Sequence, residues 1–207
     1  MVYVITADQR NSRRSDDAVV GALPRLTDVP TLRGFERTVG DELQAVLDDP
    51  LSVVRAIVVL MDTAPWHIGI GIGDAELPLP ESVRAARGPA FLAARASVDL
   101  AKQRDSGIEV SAQPDAGPDT EAASVACQLL ADLVTRRSGA GVEAIRLTRA
   151  GQTQAQVADQ LGVTRQAVGQ RLQAARWSLE QRTIPVLAHL LERVARAGAT
   201  TAERLGR

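Results

Sequence analysis

Aromatic residues are almost absent from this chain: two Trp, two Phe and one Tyr make up 2% of its 207 residues. Since 45% of the chain is hydrophobic, the core has to be built from Ala, Val, Leu and Ile. Cysteine occurs once, as Cys127. That excludes an internal disulfide and any Cys-x-x-Cys or Cys/His metal set, and Cys127 reads as a small buried helix residue. The two histidines, His67 and His189, lie in separate parts of the chain without metal-ligand spacing and read as structural. No serine sits in a Gly-x-Ser-x-Gly elbow, which excludes the usual Ser/His/Asp hydrolase. Apolar runs all fall short of the ~18 residues that span a bilayer. The opening Val2–Thr6 is too short and wrongly flanked for a signal peptide, so no membrane partner and a cytoplasmic location are expected.

Lysine is nearly missing too, with Lys102 alone among 24 Lys and Arg residues. Because arginine is preferred throughout, an Arg at any one position is weak evidence for phosphate recognition. The net charge of −1 is equally uninformative until it is divided. From Ser138 onward ten arginines stand against five carboxylates, so this segment carries +5 and the rest −6. A basic C-terminal module on an acidic N-terminal one is the asymmetry expected if only one part approaches DNA.

The segment Gln154–Gln173 supplies the shape for that approach. Val157, Ala158 and Leu161 share one face of a short helix, and Gly162 sits where that helix must turn. Thr164 suits the N-cap of a second helix, whose Val168 and Leu172 face inward four residues apart. Arg165, Gln166, Gly169, Gln170 and Gln173 are left pointing outward. Arg reads guanine edges and Gln adenine edges in a major groove. An ordinary helical hairpin with a polar surface shows part of this pattern, but turn, cap and inward pair coincide here. A last helix is expected over Arg176–Ala197, merging with the second one and bent at Pro185. Its stripe from Leu179 to Val194 serves either a small three-helix core or a dimer seam.

The N-terminal half reads differently. Val2–Thr6, Phe35–Val39, Leu43–Leu47, Trp66–Ile72 and Ile108–Ser111 have strand character, and Pro50–Asp62 and Pro89–Arg104 helical spacing. Asp16–Leu23 fits a short helix, and Leu26–Gly34, with Pro30, a loop or a poorly defined helix. The pattern predicts an α+β sheet with helices on one face. Ser111–Asp119, rich in Pro and Gly, is the clearest linker, and Glu121–Arg137 a helix that bridges the modules or packs on the sheet. The expected division is an α+β domain over 1–113, a linker and bridging helix over 114–138, and a helical domain over 139–207.

Asp8 follows the first strand, and Asp41 lies at a Gly-Asp hairpin tip. If those strands are neighbours, both carboxylates meet at one edge, as a metal-triphosphate site needs. The alternating Gly69, Gly71 and Gly73 keep the next strand bare, so a ligand or another backbone can come close. Arg37 could then meet a polar ligand edge and Arg95 a phosphate. The plainer alternatives are that Asp41 and Glu42 simply make the turn and that Arg95 pairs with one of them.

Arg37-Thr-Val-Gly-Asp-Glu-Leu-Gln44 resembles the Lys-Thr-x-Gly-Asp hairpin of class III nucleotide cyclases and the hairpin of GGDEF diguanylate cyclases. Four ordered pieces are similar to the SatD family of small bacterial proteins, Ala7–Arg13, Gly40–Gln44, His67–Gly73 and Gly88–Arg95, and the resemblance extends over roughly residues 1–112. The resemblance implies a ferredoxin-like, nucleotide-cyclase-like N-terminal fold. It also implies a metal position at Asp8 and Asp41 for Mg²⁺, and a nucleotide ligand near Arg37 and Arg95. One departure matters: Phe91 stands four residues before Arg95, where the cyclases carry an Asn that orients ribose and transition state. Val157-Ala158, Leu161–Arg165, Ala167-Val168 and Arg171-Leu172 resemble the helix-turn-helix of sigma factor region four. That resemblance implies that Thr164, Gln170, Arg171 and Arg176 hold phosphates while Arg165, Gln166 and Gln173 meet base edges.

The leading expectation is a sequence-specific DNA-binding regulator with no catalytic residues, working as a homodimer on double-stranded DNA. In that reading a degenerate cyclase-like domain senses a ligand or mediates assembly. The alternative is a metal-dependent nucleotide cyclase or nucleotidyl transferase using Asp8 and Asp41.

Overall fold

The computed structural model describes residues 1–205 and has an α+β architecture. Its five strands are β1 (Val2–Gln9), β2 (Arg33–Arg37), β3 (Glu42–Leu47), β4 (Trp66–Gly73) and β5 (Ile108–Gln113). The helices are α1 (Ala18–Leu26), α2 (Pro50–Thr63), α3 (Pro89–Ala101), α4 (Pro118–Thr135), α5 (Gly139–Arg149), α6 (Gln154–Leu161), α7 (Arg165–Ala174) and α8 (Trp177–Leu205). Among the described residues no helix is long and apolar enough to cross a membrane.

The sheet runs β2-β3-β1-β4-β5, antiparallel except for the parallel β4–β5 pair. Side chains alternate across it with period two. Tyr3, Ile5 and Ala7 of β1, Leu43, Ala45 and Leu47 of β3, and Ile68, Ile70 and Ile72 of β4 all enter one core cluster. α1, α2, α4 and α8 cover that face. The opposite face carries Val4, Val46 and the β4 glycines, and α3 lies on it.

Helices therefore occupy both faces rather than one, and the glycines explain why. A Cβ on Gly71 would stand 2.7 Å from the Ala94 Cα, and one on Gly69 2.9 Å from the Val98 Cα. Of the two things a bare strand admits, a helix backbone has taken the place. Ser97 follows the same contact inward and donates its hydroxyl to the Ile70 carbonyl at 3.0 Å.

The expected linker is short. β5 continues to Gln113 and α4 begins at Pro118, leaving four residues between them. α4 packs on the sheet through Ala123, Cys127, Leu130, Ala131 and Val134. Its Ser124 hydroxyl and Gln128 amide hold the buried Glu109 of β5, which also pairs with Arg104 at 2.8 Å. Burial pushes the Cys127 thiol well above its ordinary value, so it stays protonated.

α8 is the largest departure from the expected division. Leu187, Leu191 and Val194 are fully buried in the sheet's own core, each worth about 1.5–3 kcal/mol when removed from water. The Tyr3 hydroxyl donates to the Leu191 carbonyl at 3.4 Å, and burial raises its pKa to about 12. From Ile184 to Val194 the α8 stripe is therefore covered by the sheet module rather than forming a separate three-helix core, while Leu179 at its start is exposed. β2 begins at Arg33 and ends at Arg37, so the expected loop stops earlier and the expected strand shifts toward its start.

Candidate nucleic-acid interface

Local signals build α5, α6 and α7 one after another. α5 is capped by Ser138, whose hydroxyl accepts from the Gly141 N–H at 3.3 Å. It ends at a left-handed Gly151, where Gln152 N–H donates back to the Leu147 carbonyl. Thr153 then opens α6 with a capping box: its hydroxyl accepts from Gln156 N–H, and the Gln156 side chain accepts from Thr153 N–H at 2.8 Å. α6 closes at Gly162 with φ 63°, Val163 N–H reaching the Ala158 carbonyl at 3.0 Å. With the Gly162 N–H reaching the Asp159 carbonyl at 3.4 Å, the two backward bonds make the Schellman stop that glycine favours. Thr164 caps α7 by accepting from Ala167 N–H at 3.1 Å. Between the helices Ala144, Ile145, Leu147, Val157, Ala158, Val168, Leu172 and Ala175 form a core cluster of their own.

Val168 and Leu172 anchor α7, and the opposite face is left open. Arg165, Gln166, Gln170 and Gln173 are exposed along it, and Arg171 is half-buried. Thr164 is exposed as well, but its hydroxyl is spent on the cap. Arg176 does not continue the helix into α8. It holds φ 55°, a left-handed conformation unusual for a residue with a Cβ, and breaks the chain between α7 and α8. The break turns Arg176 into a cleft of about 520 Å³ shared with Gln154, Gln173, Trp177 and Arg182. Gln154 and Arg182 are additions to the sequence-based set. The i, i+6 spacing of Arg176 and Arg182 gives no hint of it unless the helix break between α7 and α8 is known.

The N-terminal candidates are brought only partly together. Asp8 pairs with Lys102 from the end of α3 at 2.9 Å, and this bond holds the ammonium pKa above its usual range. The residue opposite Asp8 in the β1–β3 register is Glu42, not Asp41. Asp41 lies one position earlier, in the turn, and its carbonyl accepts from Gln9 N–H at 3.3 Å. Glu42 is held by the Thr38 hydroxyl. Arg37 is tied to the α1 cap, 2.5 Å from Asp17, and donates to the Gly40 carbonyl at 2.9 Å. Arg95 is exposed on α3 one turn beyond Phe91, which packs into the apolar cluster of Val4 and Val46. Among the described residues no group of three or more His, Cys, Asp and Glu side chains is arranged to hold a metal ion. His67 faces Asp8 across the β1–β4 register, but burial and then the Arg10 cation depress its pKa.

Four charges that sequence reasoning passed over, three of them with buried side chains (Asp62, Arg137 and Glu180) and one partly exposed (Arg149), join the two halves. Glu180 of α8 is fully buried and accepts from Arg137 at 2.6 Å and from Arg149 at 2.7 Å. Arg149 also pairs with Asp62 at the end of α2, and its guanidinium lies 5.3 Å over the Trp177 ring. Arg137 adds a bond to the Ala175 carbonyl at 3.0 Å, just past α7. These bonds tie α5 and the end of α7 to α2 and α8 of the sheet module. No protein-family model, no curated protein and no solved structure matches this chain.

Proposed function

We propose that this chain is a sequence-specific DNA-binding protein acting as a transcriptional regulator, with α6 and α7 as its helix-turn-helix and α7 as the reading helix. The observation that carries this reading is the face of α7, where Arg165, Gln166, Gln170 and Gln173 stand exposed on a rigid, fully capped support. From Gln160 to Leu179 the sequence contains no acidic residue, so nothing on this face repels phosphate. A single helix-turn-helix buries little surface, so useful affinity implies a homodimer on half-sites about 34–36 Å apart.

The sheet order β2-β3-β1-β4 with antiparallel neighbours supports a ferredoxin-like, cyclase-like reading of the N-terminal part, to which α3 and β5 are added. Its role in this proposal is sensing or assembly rather than turnover. Lys102 already neutralises Asp8, and Phe91 takes the place of the Asn that the cyclases use.

Arg176 gives a test that separates binding from folding. Its left-handed backbone costs a residue with a Cβ about 1–2 kcal/mol, and glycine escapes that cost while losing more entropy on folding. Arg176→Gly is expected to leave stability to urea unchanged or raise it by up to about 1 kcal/mol. Affinity for every duplex should fall severalfold, with the salt slope shallower by about one. A glycine variant that binds duplex DNA with wild-type affinity and slope removes Arg176 from the interface.

A further inference from the structure

A groove of about 530 Å³ opens where the two halves of the molecule meet. One wall comes from α1 and α2, the other from the end of α5 and the start of α8. Its volume lies within the ~300–1,000 Å³ of small-molecule sites, and junctions between modules are where such sites concentrate. The floor is aliphatic, made by Val29, Val58, Val59 and Ile184, and Trp177 supplies an aromatic wall.

The charges around this floor are unequal. Arg25, Arg55 and Arg149 line the groove against Asp28 and Glu180. Glu180 is already held by Arg137 and Arg149. Arg25 donates only to the Asp62 carbonyl, at 3.4 Å, and among the described residues neither Arg25 nor Arg55 makes an ion pair. An apolar floor with two guanidinium groups at its rim that make no ion pair, Arg55 feeling only the more distant charge of Asp49, suits a ligand with an apolar body and one anionic head.

We infer that this groove is a binding site for a small organic carboxylate, with its apolar body on Val58, Val59, Ile184 and Trp177 and its head at Arg55 and Arg25. The ligand sits against the ion-pair cluster that ties α5 and the end of α7 to the sheet module, since Trp177 stacks on Arg149 and Arg149 bridges Asp62 and Glu180. Occupancy therefore biases the orientation of the reading helix. This regulatory consequence rests on the DNA-binding reading; the site itself does not. It also places the sensed ligand away from Asp8, Asp41, Arg37 and Arg95.

The test uses the full chain carrying Trp66→Phe, so that Trp177 is the one tryptophan reporting. Octanoate and benzoate are titrated, with octanamide as the uncharged match, and fluorescence is checked against thermal shift. A saturable response to at least one carboxylate with Kd below about 1 mM is expected. Octanamide should bind at least tenfold more weakly, Arg55→Ala should weaken the carboxylate about tenfold, and Val59→Phe, which fills the floor, should abolish the response. Arg55 is exposed, so that variant keeps its fold. Silence from both carboxylates, an equal response to octanamide, or indifference to Arg55→Ala overturns the site. Carboxylate binding by a protein that binds no duplex supports the site and contradicts the DNA reading. Duplex affinity unmoved by a bound carboxylate overturns the coupling.

Discussion

Gly71→Ala is expected to destabilise the sheet module severely, although it adds a single methyl group. The new Cβ would lie 2.7 Å from the Ala94 Cα and closer still to the Ala90 carbonyl oxygen and the Ala94 nitrogen. These are backbone atoms of α3, so no side-chain rotation relieves the collision. α3 has to lift from β4 along its length, losing the burial of Ala90, Ala94 and Val98 and uncovering Val4 and Val46. Overpacking ordinarily costs about 1–3 kcal/mol, and a rigid backbone contact sits at or beyond the upper end. Against a typical total of about 5–15 kcal/mol, the variant should be insoluble or unfold at much lower urea. Gly21→Ala is the control: within α1 a Cβ there meets nothing within 4 Å, so stability should rise by about 0.5–1 kcal/mol. Circular dichroism in urea reads both. An unchanged midpoint for Gly71→Ala contradicts the packing of α3 on the glycine strand.

Glu180→Ala is expected to cost about 3–5 kcal/mol, because it leaves charges buried without their counter-charge. Arg137 is 1% exposed and would keep Asp62 only at 4.0 Å, while Arg149, at 27%, would keep one carboxylate of two. Replacing both partners by apolar groups is a different experiment and need not destabilise. Removing one is costly because the remaining guanidinium has left water without a partner. Glu180→Gln keeps the shape and one acceptor, so its loss should be smaller than that of the alanine variant. Urea unfolding measures both, and hydrogen exchange should show α5–α7 loosening before the sheet. A loss below about 1 kcal/mol for Glu180→Ala shows that the ion-pair cluster does not hold the halves together.

What was legible in the sequence was local. Gly162 and Thr164 act within four residues of themselves, so the turn between α6 and α7 is written beside the helices it joins. The hairpin at Gly40 and the alternation of β1 and β4 are equally short-range. Long-range choices were not legible. The α8 stripe announces that one face is buried, but not that α4, α2 and the β4–β5 side of the sheet cover it. The glycines of β4 announce a close approach, and only the fold shows that α3 rather than a ligand makes it. Asp8 finds Lys102 at the end of α3, and register rather than motif puts Glu42 opposite it. Arg176 shows the reverse case: glycine marks left-handed positions, so an arginine holding one has no sequence signature.

The central claim is that α7 reads base pairs, and selection from random duplexes followed by titration tests it most directly. The full chain should enrich one sequence, with half-sites about one helical turn apart. At physiological salt the enriched duplex should bind at least about 10³-fold more tightly than a scrambled one. Arg165→Ala should shrink that ratio by the equivalent of about 1–3 kcal/mol while leaving the scrambled duplex nearly unaffected. No enrichment, or equal affinity for selected and scrambled duplexes in both proteins, would show that the exposed face of α7 is an ordinary polar helix surface.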